Sequence, residues 1–324
     1  MAYTFDELKG VCGMMPAFAT GDASNILATN TVDVDNLHDG VDRIIHDGIG
    51  MIATTGSFGQ VWNLFQDEWE TLVRATIEAV NKRVPVMLGV TSTNPREVAQ
   101  KMKFVKEAGG QGVLLGLPYY DPLPIAKIPA FYRTMAEAFP ELSIMIYHNP
   151  VNHRVHIPVR VFQELVKIPQ IVAMKDSHRD TREFLPLHEI IGGKIAHFVN
   201  QAQLYPYYEM GASGCWSIDA WMGPWPVLKI YQACVDGDVT TAKQVISEMG
   251  GGARPAAGGE DGGGNGGGDP QDFAGYIKPG PARAPRSLGE QGSDERAKAR
   301  AAKWVSLCDK YRPAVEAWRA SHRN

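Results

Sequence analysis

Residues 171–177, Ile-Val-Ala-Met-Lys-Asp-Ser, set Lys175 at the end of an apolar run. A run of this length and β-branched content reads as a strand buried on both faces. Lysine is among the residues least often buried unless paired. An amine held at such a strand end loses hydration, its pKa falls, and the neutral form becomes available as a nucleophile. The ordinary alternative is a lysine that snorkels its charge to the surface. Other residues of suitable type weigh against it. Gly56-Ser57-Phe58-Gly59-Gln60 places a hydroxyl between glycines, a nest suited to a carboxylate, with a plain glycine turn as the alternative. Thr91-Ser92-Thr93-Asn94 is a hydroxyl cluster in which Thr91 and Asn94 are candidate binding residues, although helix capping is sufficient for Asn94. Pro118-Tyr119-Tyr120 and Tyr147-His148-Asn149-Pro150 add phenols. One tyrosine alone is more often packing than catalyst. Together, Lys175, Tyr147, Tyr120 and Ser57 form a coherent proton relay.

These groups need a scaffold that gathers strand ends. Eight short apolar runs read as strands: Val11–Phe18, Gly50–Thr55, Val86–Thr91, Gly112–Pro118, Ser143–Asn149, Ile171–Ser177, Ile195–Asn200 and Gly214–Ile218. Between them lie helical faces at i, i+3, i+4 spacing, such as Val41, Ile44 and Ile45, or Val98, Met102 and Val105. Phe131, Met135 and Phe139 mark a third face, and Val161, Phe162 and Leu165 a fourth. Strands alternating with helices imply βαβ units and a parallel sheet. Eight such units predict an α/β protein, a (β/α)8 TIM barrel, with all the candidates at the C-terminal strand ends where barrel active sites lie. The first βα connection has no G-x-G-x-x-G, which weakens a dinucleotide-binding alternative.

The barrel is assigned to residues 1–225 and a C-terminal helical extension to 226–324. Within the extension, Pro226–Gly237 and Val239–Met249 read as helices, and a further helix runs over 293–321 with Ala301, Trp304, Leu307 and Tyr311 on one side. Between them, eleven of the twenty residues 250–269 are glycine, which reads as a flexible loop. No GK[ST] follows it, against a phosphate cradle.

The chain has 324 residues, 44% hydrophobic content and a formal net charge of −4, giving no electrostatic reason to expect nucleic acid or an anionic membrane as partner. Cys12, Cys215, Cys234 and Cys308 have neither CxxC nor zinc-like spacing and read as thiols of a reduced, cytoplasmic protein with no metal site. No run approaches a membrane span, and no signal peptide is recognisable.

Four motifs in order at four strand ends resemble the dihydrodipicolinate synthase/N-acetylneuraminate lyase superfamily, class I pyruvate-handling lyases on a (β/α)8 barrel. Its Gly-x-x-Gly-Glu carboxylate motif corresponds to Gly56 to Gln60, its Pro-Tyr-Tyr to Pro118-Tyr119-Tyr120, and its Tyr-Asn-x-Pro to Tyr147-His148-Asn149-Pro150. Its Schiff-base lysine corresponds to Lys175. The resemblance covers the chain to about residue 249 and resumes weakly in the tail. It implies a homotetramer and no cofactor beyond the covalent imine. The arginine that follows the synthase's tyrosine motif is replaced by Asn152, with His153 and Arg154 just beyond. The usual Thr-Thr is Ser57-Phe58, and Gln60 replaces a Glu.

Trp216 and Trp221, with Trp225 and Met222 nearby, predict an aromatic-rich mouth, because flat rings bury well against indoles. Anchoring of the following helices is the alternative, strongest for Trp225. The combination is similar to the trans-o-hydroxybenzylidenepyruvate hydratase-aldolases and their carboxy-substituted counterparts. It implies a small aryl α-keto acid substrate, with Gly56, Ser57, Phe58 and Gly59 at the carboxylate and Thr91, Asn94, His148, Trp216 and Trp221 among the binding residues. Two alternatives stand: another pyruvate-dependent lyase or synthase, and a barrel that binds a ligand without catalysis. The ring's ortho substituent is left open between carboxylate and hydroxyl. His178, Arg179, His148 and Arg283, as candidate cations, tilt it towards carboxylate.

Overall fold

The computed structural model describes residues 3–177, 179–250, 269–284 and 294–322. Eight parallel strands close into a barrel in sequence order: β1 Gly10–Met14, β2 Met51–Ala53, β3 Val86–Gly89, β4 Gly112–Gly116, β5 Ser143–His148, β6 Ile171–Asp176, β7 Ala196–Asn200 and β8 Gly214–Ser217, with β8 pairing back onto β1. Each predicted strand is present. The first three are shorter than expected; in the first, residues 15–18 leave the sheet but stay buried. All-parallel strands are covered on both faces, so most positions are buried and the sequence shows runs rather than alternation.

The helices alternate with the strands: α1 Val34–His46, α2 Gln66–Val80, α3 Pro95–Glu107, α4 Ile128–Ala138, α5 Pro150–His153, α6 Phe162–Leu165, α7 Thr181–Ile191 and α8 Leu204–Tyr207. After the barrel come α9 Trp225–Val235, α10 Val239–Met249 and α11 Glu295–Ser321. Ala301, Trp304, Leu307 and Tyr311 of α11 are buried on one side, as their spacing predicts. Apart from residues 250 and 269, the glycine-rich stretch lies outside the described residues, as does His178. No helix among the described residues is long and apolar enough to cross a membrane.

Two apolar clusters form. The larger lies between strands and helices; the smaller fills the barrel and includes Cys12, Met14, Met145, Tyr147, Ala173, Phe198 and Trp216. Successive strand residues face opposite sides. Tyr147 and Lys175 are register partners facing inward, while their neighbours His148 and Asp176, also partners, face the helices.

Candidate active site

Lys175 is only 5% exposed. Its Nζ lies 5.7 Å from the centre of the Tyr147 ring and 5.6 Å from that of Trp216, and the two rings stack at 6.0 Å. It donates a hydrogen bond to the Ser177 hydroxyl. Ser177 is set in turn by its N–H on the His148 carbonyl and by Asn200, whose Nδ2 donates to the Ser177 carbonyl at 2.7 Å. The amine therefore sits between two aromatic faces and one hydroxyl, at the open end of the barrel.

The Tyr147 hydroxyl and Ser57 Oγ lie 3.1 Å apart. Asn149 Nδ2 donates to the phenol oxygen at 3.2 Å, and Asn152 Nδ2 donates to Ser57 Oγ at 2.6 Å. Two amide donors feed one hydroxyl pair, so negative charge on either oxygen is stabilised as a proton moves. Asn149 stands in the tyrosine motif and Asn152 at the place of the synthase's arginine, but the sequence gives neither a bond to the hydroxyl pair. Asn149 caps α5, where its Oδ1 accepts from the Asn152 N–H, and that turn brings both amides to the pair. His153, one residue on, meets the Tyr147 ring edge to face at 5.0 Å. Burial, then the nearby His148, pushes its imidazole down to about 4, so it stands there uncharged at neutral pH.

The nest is built under strain. Thr55 and Gln60, on either side of it, have φ of +44° and +55°, a left-handed backbone that non-glycine residues seldom adopt. A Cβ on Gly59 would meet the Thr55 nitrogen at 2.7 Å and Met14 Cε at 2.8 Å, so only glycine lets the loop close onto the barrel. Gly56 sits against Met14 in the same way, where a Cβ would approach Cε to 3.1 Å. The N–H groups of Gln60 and Val61 close on the Ser57 and Gly56 carbonyls; those of Ser57 and Phe58 enter neither closure. The Phe58 ring packs against the inner cluster.

Five sequence expectations are corrected. Tyr120 is 80% exposed, because it lies in the loop beyond β4, so it does not join Tyr147 and Ser57. His148 uses both ring nitrogens: Nε2 accepts from the Ile157 N–H at 3.1 Å, so Nδ1 carries the proton and donates to Asp176 at 2.7 Å. Trp221 lies in the outer cluster, edge on to Phe18 at 6.0 Å, and anchors the segment after β8. Asn94 is an exposed N-cap for α3, accepting from the Arg96 N–H at 3.0 Å. The Thr91 hydroxyl is buried and accepts the Gly116 N–H at 2.8 Å, tying β4 to the end of β3.

The candidate cations are also in use. Arg179 pairs with Asp176 at 2.6 Å and Glu183 at 3.0 Å. Arg283 donates to Thr31 Oγ1 and to the carbonyls of Ala17, Phe18 and Thr31. Trp225 packs under Arg312, 3.9 Å from its ring centre, and away from the mouth.

Residues 19–249 match the dihydrodipicolinate synthetase family. The chain belongs to that family. Among characterised relatives, it is similar to a trans-O-hydroxybenzylidenepyruvate hydratase-aldolase of Pseudomonas putida, 28% identical over 95% of this chain and 96% of the relative. A trans-2'-carboxybenzalpyruvate hydratase-aldolase of Nocardioides sp. (strain KP7) is 25% identical over 96% of this chain and 97% of its own. Among solved structures, PhdJ bound to a substrate intermediate superposes with a TM-score of 0.87 at 25% identity, covering 95% of this chain and 99% of that one. The family match ends at α10, but these likenesses run on through the C-terminal segment.

Proposed function

We propose that the chain is a class I hydratase-aldolase, a lyase that cleaves an ortho-substituted benzylidenepyruvate to an aromatic aldehyde and pyruvate through an imine on Lys175. The observation that carries the reading is Lys175 Nζ held over the Tyr147 and Trp216 rings, beside a Tyr147–Ser57 hydroxyl pair. Hydratase-aldolases similar over nearly the whole chain support it.

The keto-acid carboxylate docks on the Ser57 and Phe58 N–H groups and the Ser57 hydroxyl. Neutral Lys175 attacks C2, and the carbonyl oxygen leaves as water, giving a protonated imine conjugated to C3=C4. Water adds its hydroxyl at C4 and a proton reaches C3. The Tyr147–Ser57 pair then takes the proton of the new alcohol, C3–C4 breaks, and its electrons flow into the imine as the aldehyde departs. The enamine is protonated at C3 and hydrolysed, releasing pyruvate and Lys175. The imine supplies the electron sink that a metal would otherwise supply. Asn152, at the place of the synthase's arginine, is bonded to Ser57 and offers no cation to a second carboxylate, against a dipicolinate synthase.

Homotetrameric assembly and a reduced cytoplasmic setting belong to the same proposal. Four buried free thiols support the latter, with burial pushing Cys234 and Cys308 up to about 12. The function is tested in the synthetic direction. Pyruvate and an ortho-substituted benzaldehyde should yield the conjugated keto acid, read by its near-ultraviolet absorbance, and Lys175→Ala should yield none. Folded wild-type protein that forms no product with either the hydroxy or the carboxy aldehyde would contradict it.

A further inference from the structure

Gly116, Tyr147 and Lys175 are register neighbours on β4, β5 and β6. Leu114 and Met145, two residues earlier on β4 and β5, fill the barrel interior, so by strand alternation Gly116 faces inward as Tyr147 does. Gly116 brings no side chain to that row, and the gap is filled from another element. A Cβ at Gly116 would meet His153 Cε1 at 2.3 Å and Nε2 at 2.7 Å. The His153 imidazole therefore stands where a β4 side chain would stand, beside Tyr147 and on the side away from the strand that carries Lys175.

That placement is held from several directions. His153 is 4% exposed, and its ring meets Tyr147 at 5.0 Å and 87°, the edge-to-face arrangement that aromatic rings favour. Trp216 stacks on the same tyrosine at 6.0 Å and 17°. Tyr119, half-buried after β4, backs the imidazole with ring centres 6.5 Å apart. The His153 N–H donates to the Asn149 carbonyl at 2.8 Å. This closes the α5 turn whose Asn149 and Asn152 amides reach the Tyr147 and Ser57 hydroxyls. Burial keeps the imidazole uncharged at neutral pH, so it presents a neutral ring to the site rather than a second cation.

Resting on the hydratase-aldolase reading, we infer that His153 is a positioning residue for that reaction: it fills the gap at Gly116, wedges the Tyr147 ring against Trp216, and so holds the phenol on the Ser57 hydroxyl. Gly116 belongs to the same device, because any side chain there displaces the imidazole.

The test compares wild type, His153→Ala, Gly116→Ala and the double variant in the full chain. It measures kcat and KM on whichever of 2-hydroxy- and 2-carboxybenzylidenepyruvate wild type cleaves, with borohydride trapping of pyruvate in parallel. His153→Ala should lower kcat by more than about threefold and less than about 100-fold, between the worth of one edge-to-face aromatic contact and that of an acid–base group. KM should stay within about twofold, because the imidazole supports the tyrosine and not the bound substrate. Gly116→Ala should also lower kcat, and the double variant should lose no more than the slower single, since both changes remove one contact. Should Gly116→Ala fail to fold, His153→Ala, which only empties space, carries the test alone. A kcat loss outside that range, a raised KM with kcat intact, or losses that multiply in the double variant overturn the inference. Wild type that cleaves neither substrate overturns the parent reading and this inference with it; trapped pyruvate in that case leaves the imine standing.

Discussion

Tyr147 and His148 are adjacent in sequence and opposite in role, because neighbouring strand residues face opposite sides. The same parity separates Lys175 from Asp176. Reading strand ends as points that all face the mouth recovers Tyr147 and Lys175 but wrongly adds His148; tracking alternation from the apolar positions Met145 and Ala173 excludes it. Tyr147→Phe should lower turnover by roughly 10²–10⁴-fold, the usual contribution of a general acid–base group. Steady-state cleavage of the aryl substrate measures this. His153 carries a stability prediction. The unfolded imidazole protonates near 6.5, but in the fold it does so only at about 4, so the folded state binds fewer protons between those values. Its contribution is present above about pH 6.5 and is lost as pH falls towards 4. Burial also lowers His148 despite its carboxylate partner, which adds in the same direction. Urea midpoints at pH 7.5 and 5 should fall with pH in wild type and fall less in His153→Asn.

At the scale of elements, β5 and β6 are locked from behind. Asp176 accepts from His148 on one oxygen, and from Arg179 and His197 on the other, at 2.6 and 3.3 Å. Burial alone would raise its carboxyl, but hydrogen bonds from His148 and His197 and the charge of Arg179 hold it well below the usual carboxylate range. This network fixes the pairing that sets Tyr147 opposite Lys175. Asp176→Ala leaves the buried Arg179 with only the partly exposed Glu183 as a charged partner and removes the acceptor of His148, and we expect a loss of about 3–5 kcal/mol in urea unfolding. All eight strands were legible as apolar runs, because a parallel sheet buries both faces. Three site features were not. Tyr120, the residue directly after Pro118-Tyr119 at its loop's start, points by loop geometry rather than by strand parity. Trp221 belongs to a turn whose direction its spacing from β8 does not set. Asn149 and Asn152 act through an α5 cap that looks like an ordinary Asn-Pro turn.

For the whole molecule, the C-terminal segment packs beside the mouth of the barrel, against the loops after β1, β2 and β8. Arg283, 3% exposed, pins the segment to 17–18 and Thr31, while Tyr276 donates to Asp47 at 2.8 Å. Arg283→Ala should cost about 3 kcal/mol through the stranded carbonyls, seen as a lower thermal midpoint and faster proteolysis near residue 283. Residue spacing showed that α11 would pack by one face, but nothing in the sequence indicated that 269–284 would lie beside Phe58. The proposed chemistry stands on a covalent imine at Lys175. Intact mass and peptide mapping after sodium borohydride with pyruvate should find one pyruvate-sized addition, on Lys175; folded protein with no addition, or with one on another lysine, would contradict it.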